Sequence, residues 1–306
     1  MRLWTGCALA ALTALAGCSH ALTQRPAAAA PVPDTAGPAV EPRPTAITRP
    51  TRPVAAGSRS QPLVALTFDS NLTPVMISEL DRHKVASFDN TAVVDELEQL
   101  HVPATFFLAG LWVERYPAEV RRLAMNPLFE LGSHSYAHRP FAAPCFGLGH
   151  ALPVAAMAGD VQKSLDLLRS FTDHPVPYFR FPGGCYDQAA LDAIRPTGVT
   201  VIQYDVASGD AFGLSVKAIV QHVVESAGNG SIVVLHITGG NTAPLTARAL
   251  PGIVAGLRGR GFTLVKISDL LAAGQPVEAG PTGAVGGARR GVETGRESHR
   301  AGHPSG

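Results

Sequence analysis

Along the middle of the chain, short runs of wholly apolar residues alternate with stretches in which apolar side chains return every three or four positions. The runs Leu63-Val64-Ala65-Leu66, Ala104-Thr105-Phe106-Phe107, Val199-Thr200-Val201-Ile202 and Ile232-Val233-Val234-Leu235 do not alternate with polar residues. Such runs predict buried parallel strands. Between them, Val161, Leu165 and Leu168 stand at i, i+4 and i+7, and Val216, Ile219 and Val223 at i, i+3 and i+7. The second series opens at a helix cap, Ser215, and closes at Gly228-Asn229-Gly230. Strand and helix alternating over roughly 200 residues predict an α/β barrel or a doubly wound sheet, with chemistry at the carboxyl ends of strands in either case. Asp69, His134, Arg180, Asp205 and His236 are expected at such ends.

The termini have a different texture. Met1-Arg2 is a short basic start, residues 3–16 are mostly apolar, and Leu15-Ala16-Gly17-Cys18 closes the run with small residues before a cysteine. This pattern reads as an export signal of the bacterial lipoprotein type over residues 1–18, with lipid on Cys18 and plain secretion as the alternative. A spanning helix needs about 20 apolar residues, so an acyl tether is preferred to a transmembrane anchor. Residues 19–61 are Ala, Pro, Thr and Arg with few large apolar side chains and read as a linker. Residues 274–306 are rich in Gly, Ala, Arg and Glu without an apolar period, and read as a disordered tail. One catalytic domain over residues 62–273 remains.

The 25 Lys and Arg nearly balance the 24 Asp and Glu, giving a formal net charge of +1. No basic block interleaved with aromatics lies in the core, which argues against nucleic acid as a partner. No protein partner is implied. Of the four cysteines, Cys7 leaves with the signal and Cys18 takes lipid, so Cys145 and Cys185 remain as an even pair in a compartment that permits disulfides. A bridge between them is favoured over two buried thiols.

His134 and His138, within Ser133-His134-Ser135-Tyr136-Ala137-His138, are four residues apart. That spacing reads as one side of a helical turn, suited to a borderline-soft cation such as zinc. With Leu66-Thr67-Phe68-Asp69 upstream and Val234-Leu235-His236 downstream, a hydrolytic metal site is expected. The motifs Thr67-Phe68-Asp69, Ser133-His134 through His138, Phe179-Arg180-Phe181-Pro182-Gly183-Gly184, Asp205-Val206-Ala207-Ser208-Gly209-Asp210 and Val233-Val234-Leu235-His236 follow one another in order. In this the core resembles the polysaccharide deacetylases, the NodB-homology family of carbohydrate esterases.

The resemblance covers residues 62–271 and implies a distorted (β/α) barrel with about seven strands and metal-dependent removal of acetyl groups from N-acetylated sugars. It implies His134 and His138 as ligands of a divalent metal, zinc by preference, which would activate water and polarise the carbonyl. Asp69 becomes the general base oriented by Arg180, His236 the acid for the departing nitrogen, and Asp210 the partner that biases His236. The Gly183 N–H becomes a donor to the oxyanion. The other eight of the eleven histidines match no motif and are read as structural.

Two departures from the family pattern stand out. Where the family has a second aspartate after Asp69, a metal ligand, this chain has Ser70, a weaker ligand than a carboxylate. Water fills the gap, or Asp69 itself coordinates, or a carboxylate comes from elsewhere. Asp89, in an insertion, is one such candidate, and a helix cap near Thr91 is its alternative role. The aromatic residue the family places after the fourth-motif aspartate is replaced by Ala211, with Phe212 next. The expected substrate is an extracytoplasmic polysaccharide, peptidoglycan or a related GlcNAc polymer, reached from a lipid-anchored position outside the cytoplasmic membrane. Two alternatives stand beside it: hydrolysis of another amide or ester, and a non-catalytic glycan-binding protein that has lost its metal.

Overall fold

A computed structural model of the chain describes residues 52–172 and 175–283. The chain runs β1 (Val54–Ala56), β2 (Leu63–Asp69), α1 (Pro74–Asp81), α2 (Thr91–Gln99), β3 (Ala104–Leu108), α3 (Gly110–Arg115), α4 (Pro117–Met125), β4 (Phe129–Ser133) and α5 (Val154–Arg169). It continues through β5 (Tyr178–Phe179), α6 (Gln188–Ile194), β6 (Thr200–Val201), β7 (Val206–Ala207), α7 (Val216–Ser226), β8 (Ser231–His236), α8 (Thr246–Gly259), β9 (Thr263–Leu264), α9 (Ile267–Ala272) and β10 (Val277–Glu278).

The principal sheet has the order β6-β5-β4-β3-β2-β8-β7, with β9 paired to the start of β2. Its pairings are parallel. The path of seven strands curls into an open half-barrel, as the apolar runs and the resemblance led us to expect. β2 is the central strand, and its residues alternate between two environments. Val64, Leu66 and Phe68 enter the main apolar cluster with α2, α7 and α8. Ala65, Thr67 and Asp69 face the concave side, where Ala65 packs with Phe107 and Ile202.

The predicted helices form as read. Val161, Leu165 and Leu168 are buried on α5, as are Ile219 and Val223 on α7. Ser215 caps α7 by accepting the Ala218 N–H at 3.3 Å.

Both domain boundaries move outward. β1 falls within the expected linker, yet Val54 and Ala56 are fully buried and β1 pairs antiparallel with β10. The Val54 carbonyl accepts the Gln203 N–H at 2.7 Å, and the Gly57 N–H donates to Gly230 O at 2.8 Å. The expected tail is likewise ordered through Gly283, where Tyr186 donates to Gly280 O at 3.0 Å and accepts the Gly283 N–H at its own carbonyl. These segments are too short for a periodic signal, so backbone pairing rather than an apolar pattern orders them. The signal, Cys18, the rest of the linker and residues 284–306 lie outside the described residues. Among the described residues no helix is long and apolar enough to cross a membrane.

Candidate active site

Parallel register places the chemistry. Asp69 ends β2 and pairs with His236 at the end of β8 on one side and with Phe107 of β3 on the other. The ladder continues past the strands: His134 N–H donates to Leu108 O at 3.0 Å, Arg180 N–H to Ser133 O at 2.9 Å, and Ile237 N–H to Asp69 O at 3.0 Å. Asp69, His134, Arg180 and His236 thus emerge along one rim, although up to 167 residues separate them in sequence.

Asp205 is an exception to the expected placement. It precedes β7, and its carboxylate is tied to the amino end of β8, to Ser231 Oγ at 2.9 Å and the Ile232 N–H at 2.8 Å, and to Arg59 at 2.8 Å. The chain crosses between β6 and β7 at that level, so Asp205 closes a structural junction.

Arg180 is completely buried. Its guanidinium donates to Asp69 Oδ1 at 2.8 Å and Thr67 Oγ1 at 2.7 Å, and to the carbonyls of Ile202 and Gln203 at 3.2 Å each. The planar fork also stacks over Phe107, with Cζ 4.1 Å from the ring centre. Each of the three guanidinium nitrogens thereby donates a hydrogen bond, and Asp69 is oriented with its second oxygen 3.6 Å from His134 Nε2.

His134 and His138 do not stand on a helical turn. They belong to a loop after β4, in which Ser135 and His138 adopt left-handed backbone angles, φ 66° and 52°. Asp160 on α5 fixes this loop by accepting the Tyr136 N–H at 2.8 Å and the Ala137 N–H. The loop still brings the two imidazole centroids to 5.0 Å, because the local fold replaces the i, i+4 geometry. Burial holds both rings below the ordinary imidazole range, His138 well below, so both are neutral as ligands must be.

The donor set fits a divalent cation at these two residues. His134 Nδ1 engages Arg180 O at 2.9 Å, which leaves Nε2 as the free donor beside Asp69. Among the described residues His138 Nδ1, which is buried, has no hydrogen-bond partner, an arrangement that a cation would relieve.

A third protein ligand does not appear at the expected positions. Ser70 is fully buried and its hydroxyl accepts the Ala109 N–H at 2.9 Å, which turns it toward the end of β3. Among the described residues no group of three or more His, Cys, Asp or Glu is arranged to hold a metal. Asp89 does not line the cavity around the histidines. Its carboxylate feels Arg122 and Glu119 instead, and burial pushes it up to about 6. Nor does it cap α2, whose first turn follows Asn90 without a side-chain cap. The Asp89 backbone pairs with Thr238, and that pairing fixes where its side chain goes.

On the opposite wall, Asp210 grips His236 twice, accepting from Nδ1 at 2.8 Å and from the backbone N–H at 2.8 Å. Thr246, the first residue of α8, donates to Asp210 Oδ2 at 2.7 Å. Burial opposes charge on both partners, but their mutual attraction wins: His236 is raised and Asp210 lowered from their ordinary values. The bond at Nδ1 leaves His236 Nε2 as the nitrogen available to a substrate.

Asp69, His134, His138, Asp210 and His236 line a cavity of about 770 Å³ together with Gly183, Tyr204, Phe146, Phe212 and Thr242. Gly183 has φ 63°, and a Cβ there would lie 2.7 Å from Cys145 Sγ, so both backbone angle and space demand glycine. Cys145 and Cys185 are joined in a disulfide across Cα atoms 5.9 Å apart. Sequence reasoning missed Thr246, Asp160, Tyr204 and Phe146, and it read every histidine outside the motifs as structural although His222 also lines the cavity. Only Phe146 and Tyr204 had a local signal, as neighbours of Cys145 and Asp205.

The polysaccharide deacetylase family model matches residues 56–202. A peptidoglycan-N-acetylglucosamine deacetylase of Bacillus cereus is 27% identical over 214 residues, which span 69% of this chain and 89% of that protein. A chitooligosaccharide deacetylase of Bradyrhizobium is 27% identical over 226 residues, spanning 70% and 92%. Among solved structures, a peptidoglycan N-acetylglucosamine deacetylase in complex with 4-naphthalen-1-yl-N-oxidanyl-benzamide superposes with a TM-score of 0.60 at 24% identity, over 73% of this chain and 94% of that one.

Proposed function

We propose that the chain is a polysaccharide deacetylase that hydrolyses N-acetyl groups of an extracytoplasmic glycan, peptidoglycan or a related GlcNAc polymer, a reading supported by the family model over residues 56–202 and by the 27% identical Bacillus cereus deacetylase. One observation carries the reading: an arginine-held carboxylate and a carboxylate-held imidazole, Asp69 and His236, stand on neighbouring strands and line the same cavity. Amide hydrolysis needs both, a base for the attacking water and an acid for the leaving amine.

Asp69 takes the water proton, and Arg180 keeps that carboxylate oriented. His236 carries a proton at Nε2 and gives it to the departing nitrogen, while Asp210 stabilises the imidazolium. The Gly183 turn lines the side on which the oxyanion develops. His134 and His138 would hold a divalent cation, zinc by preference, which supplies a Lewis acid and an activated water. The disulfide and the family's cell-wall relatives support an exported protein, and a lipid anchor at Cys18 would keep it at the envelope.

Ser70 favours a second reading. With its hydroxyl committed to Ala109, a cation here would be held by the imidazoles of His134 and His138 without a carboxylate from this position, as expected of a glycan-binding protein that has lost its metal and given up catalysis. Hydrolysis of a different amide or ester is the third. Acetate release from N-acetylglucosamine oligomers and from peptidoglycan, with zinc supplied, tests all three. Release that disappears in His236→Ala and His134→Ala, with zinc retained only in the former, supports the deacetylase. Binding without release supports the second reading, and release from other acyl compounds alone supports the third.

A further inference from the structure

We propose that Phe146 and Phe212 form a stacking subsite for a pyranose ring of the glycan chain, held at the mouth of the cavity by the Cys145–Cys185 disulfide. The inference rests on reading the cavity as a glycan site and adds which sugar contacts it makes.

Among the large apolar side chains left exposed in the described residues, two are aromatic, Phe146 at 44% and Phe212 at 64% exposure. Both line the catalytic cavity, and they meet edge to face with ring centres 5.8 Å apart. They come from opposite walls. Phe212 ends the 3-10 turn Asp210–Phe212, whose first residue grips His236. Phe146 packs against the other wall, its Cδ2 3.4 Å from the point a Cβ on Gly183 would occupy.

A phenyl ring in water exposes a large apolar face at a free-energy cost, and two such rings converging on one polar cleft call for a ligand with an apolar face and a polar rim. A pyranose has that form, with C–H groups on its faces and hydroxyls around its edge. Asn71, Ser208 and Thr242, which line the same cavity, present polar groups for that edge. Both rings are far more exposed than Asp69 and Asp210, at 4% and 3%, which places the pair nearer the cavity mouth than the reacting groups, so the ring it takes is assigned to a neighbouring sugar of a chain and not to the sugar being attacked.

The clamp is built with backbone strain. Phe146 has φ 38°, a left-handed value that a phenylalanine rarely adopts. The disulfide on the preceding residue and the bond from Leu148 N–H to Cys145 O, 2.8 Å, hold it there. Cys185 follows directly on the Gly183-Gly184 turn, so the bridge ties the aromatic loop to the wall beneath it.

The test is calorimetric binding of β-1,4-linked N-acetylglucosamine tetramer and of the monosaccharide to the full chain, alongside acetate release from the same oligomers. Phe146→Ala and Phe212→Ala should each weaken tetramer binding about tenfold, equivalent to about 1.4 kcal/mol, and change monosaccharide binding less than twofold. Phe212→Tyr should restore the tetramer affinity. Cys145→Ser with Cys185→Ser, checked for native circular dichroism, should lose as much tetramer affinity as Phe146→Ala. Tetramer affinity unchanged in both phenylalanine variants, or an equal loss for the monosaccharide, overturns the subsite. Full affinity in the cysteine variant overturns the anchoring. Absence of acetate release with ring-dependent tetramer binding overturns the hydrolase and supports the subsite, whereas release with ring-independent binding overturns the subsite alone.

Discussion

Replacing Arg180 by methionine removes a fully buried cation and leaves Asp69, 4% exposed, without its counter-charge. It also strips donors from Thr67 Oγ1 and from the carbonyls of Ile202 and Gln203. Removing one partner of a buried ion pair costs about 3–5 kcal/mol, because the remaining charge is desolvated and unpaired. At an m value of about 2 kcal/mol/M, a loss of about 4 kcal/mol moves the urea midpoint down by about 2 M. Asp69→Asn in the same background removes the stranded charge while keeping the shape. The double variant should therefore be more stable than the sum of the singles implies, with a coupling of about 2 kcal/mol. Urea denaturation followed by fluorescence measures all four corners of the cycle. A midpoint shift below about 0.5 M for Arg180→Met, or additivity within about 0.5 kcal/mol, would refute the account of Asp69 as a carboxylate held by Arg180.

Asp210→Asn removes the charge that raises His236, so the alkaline limb of kcat/KM should move to lower pH and the rate fall about 10- to 100-fold; an unmoved limb would exclude His236 as the acid. The same pair sets a stability window. His236, raised on folding, stabilises most below about 6.5 and loses that contribution as pH rises through its folded value, so Asp210→Asn should lower Tm more at pH 5.5 than at pH 9. Asp89→Ala should leave zinc stoichiometry by mass spectrometry unchanged, since its carboxylate lies with Glu119 and Arg122; zinc loss would place it back among the ligands. Glu119 is pushed up to about 7 by burial and by Asp89, so the fold loses stability as pH rises from about 4.5 through that value, and Glu119→Gln should stabilise it more at pH 8 than at pH 5. Equal chemical-denaturation effects at the two pH values would contradict it.

Strands β2, β3, β6 and β8 and helices α5 and α7 were legible because burial on both sheet faces leaves an unbroken apolar run and burial of one helix face leaves a 3.6 period. Asp69 and His236 were legible because each is the polar terminus of such a run, where an apolar strand emerges from the core. β1 and β10 were not, since main-chain bonds to Gln203 and to each other order them and such bonds write nothing into the side chains. The helical reading of His134 and His138 failed for a related reason: the angles of Ser135 and His138 are imposed by Asp160 from another element. Thr246 and the pairing of Phe146 with Phe212 escaped because the partners are distant in sequence and no spacing rule joins them.

By itself the sequence determined an α/β core, the order of its strands and helices, and the residue types that end them, because burial and backbone period are local properties of the chain. Only the tertiary structure decided which of those termini meet. Parallel register set Asp69 beside His236, a buried arginine joined Asp69 to β5 and β6, and the Ala109 N–H drew Ser70 away from the histidines. Those outcomes depend on distances between residues remote in sequence, and only the packed sheet fixes such distances.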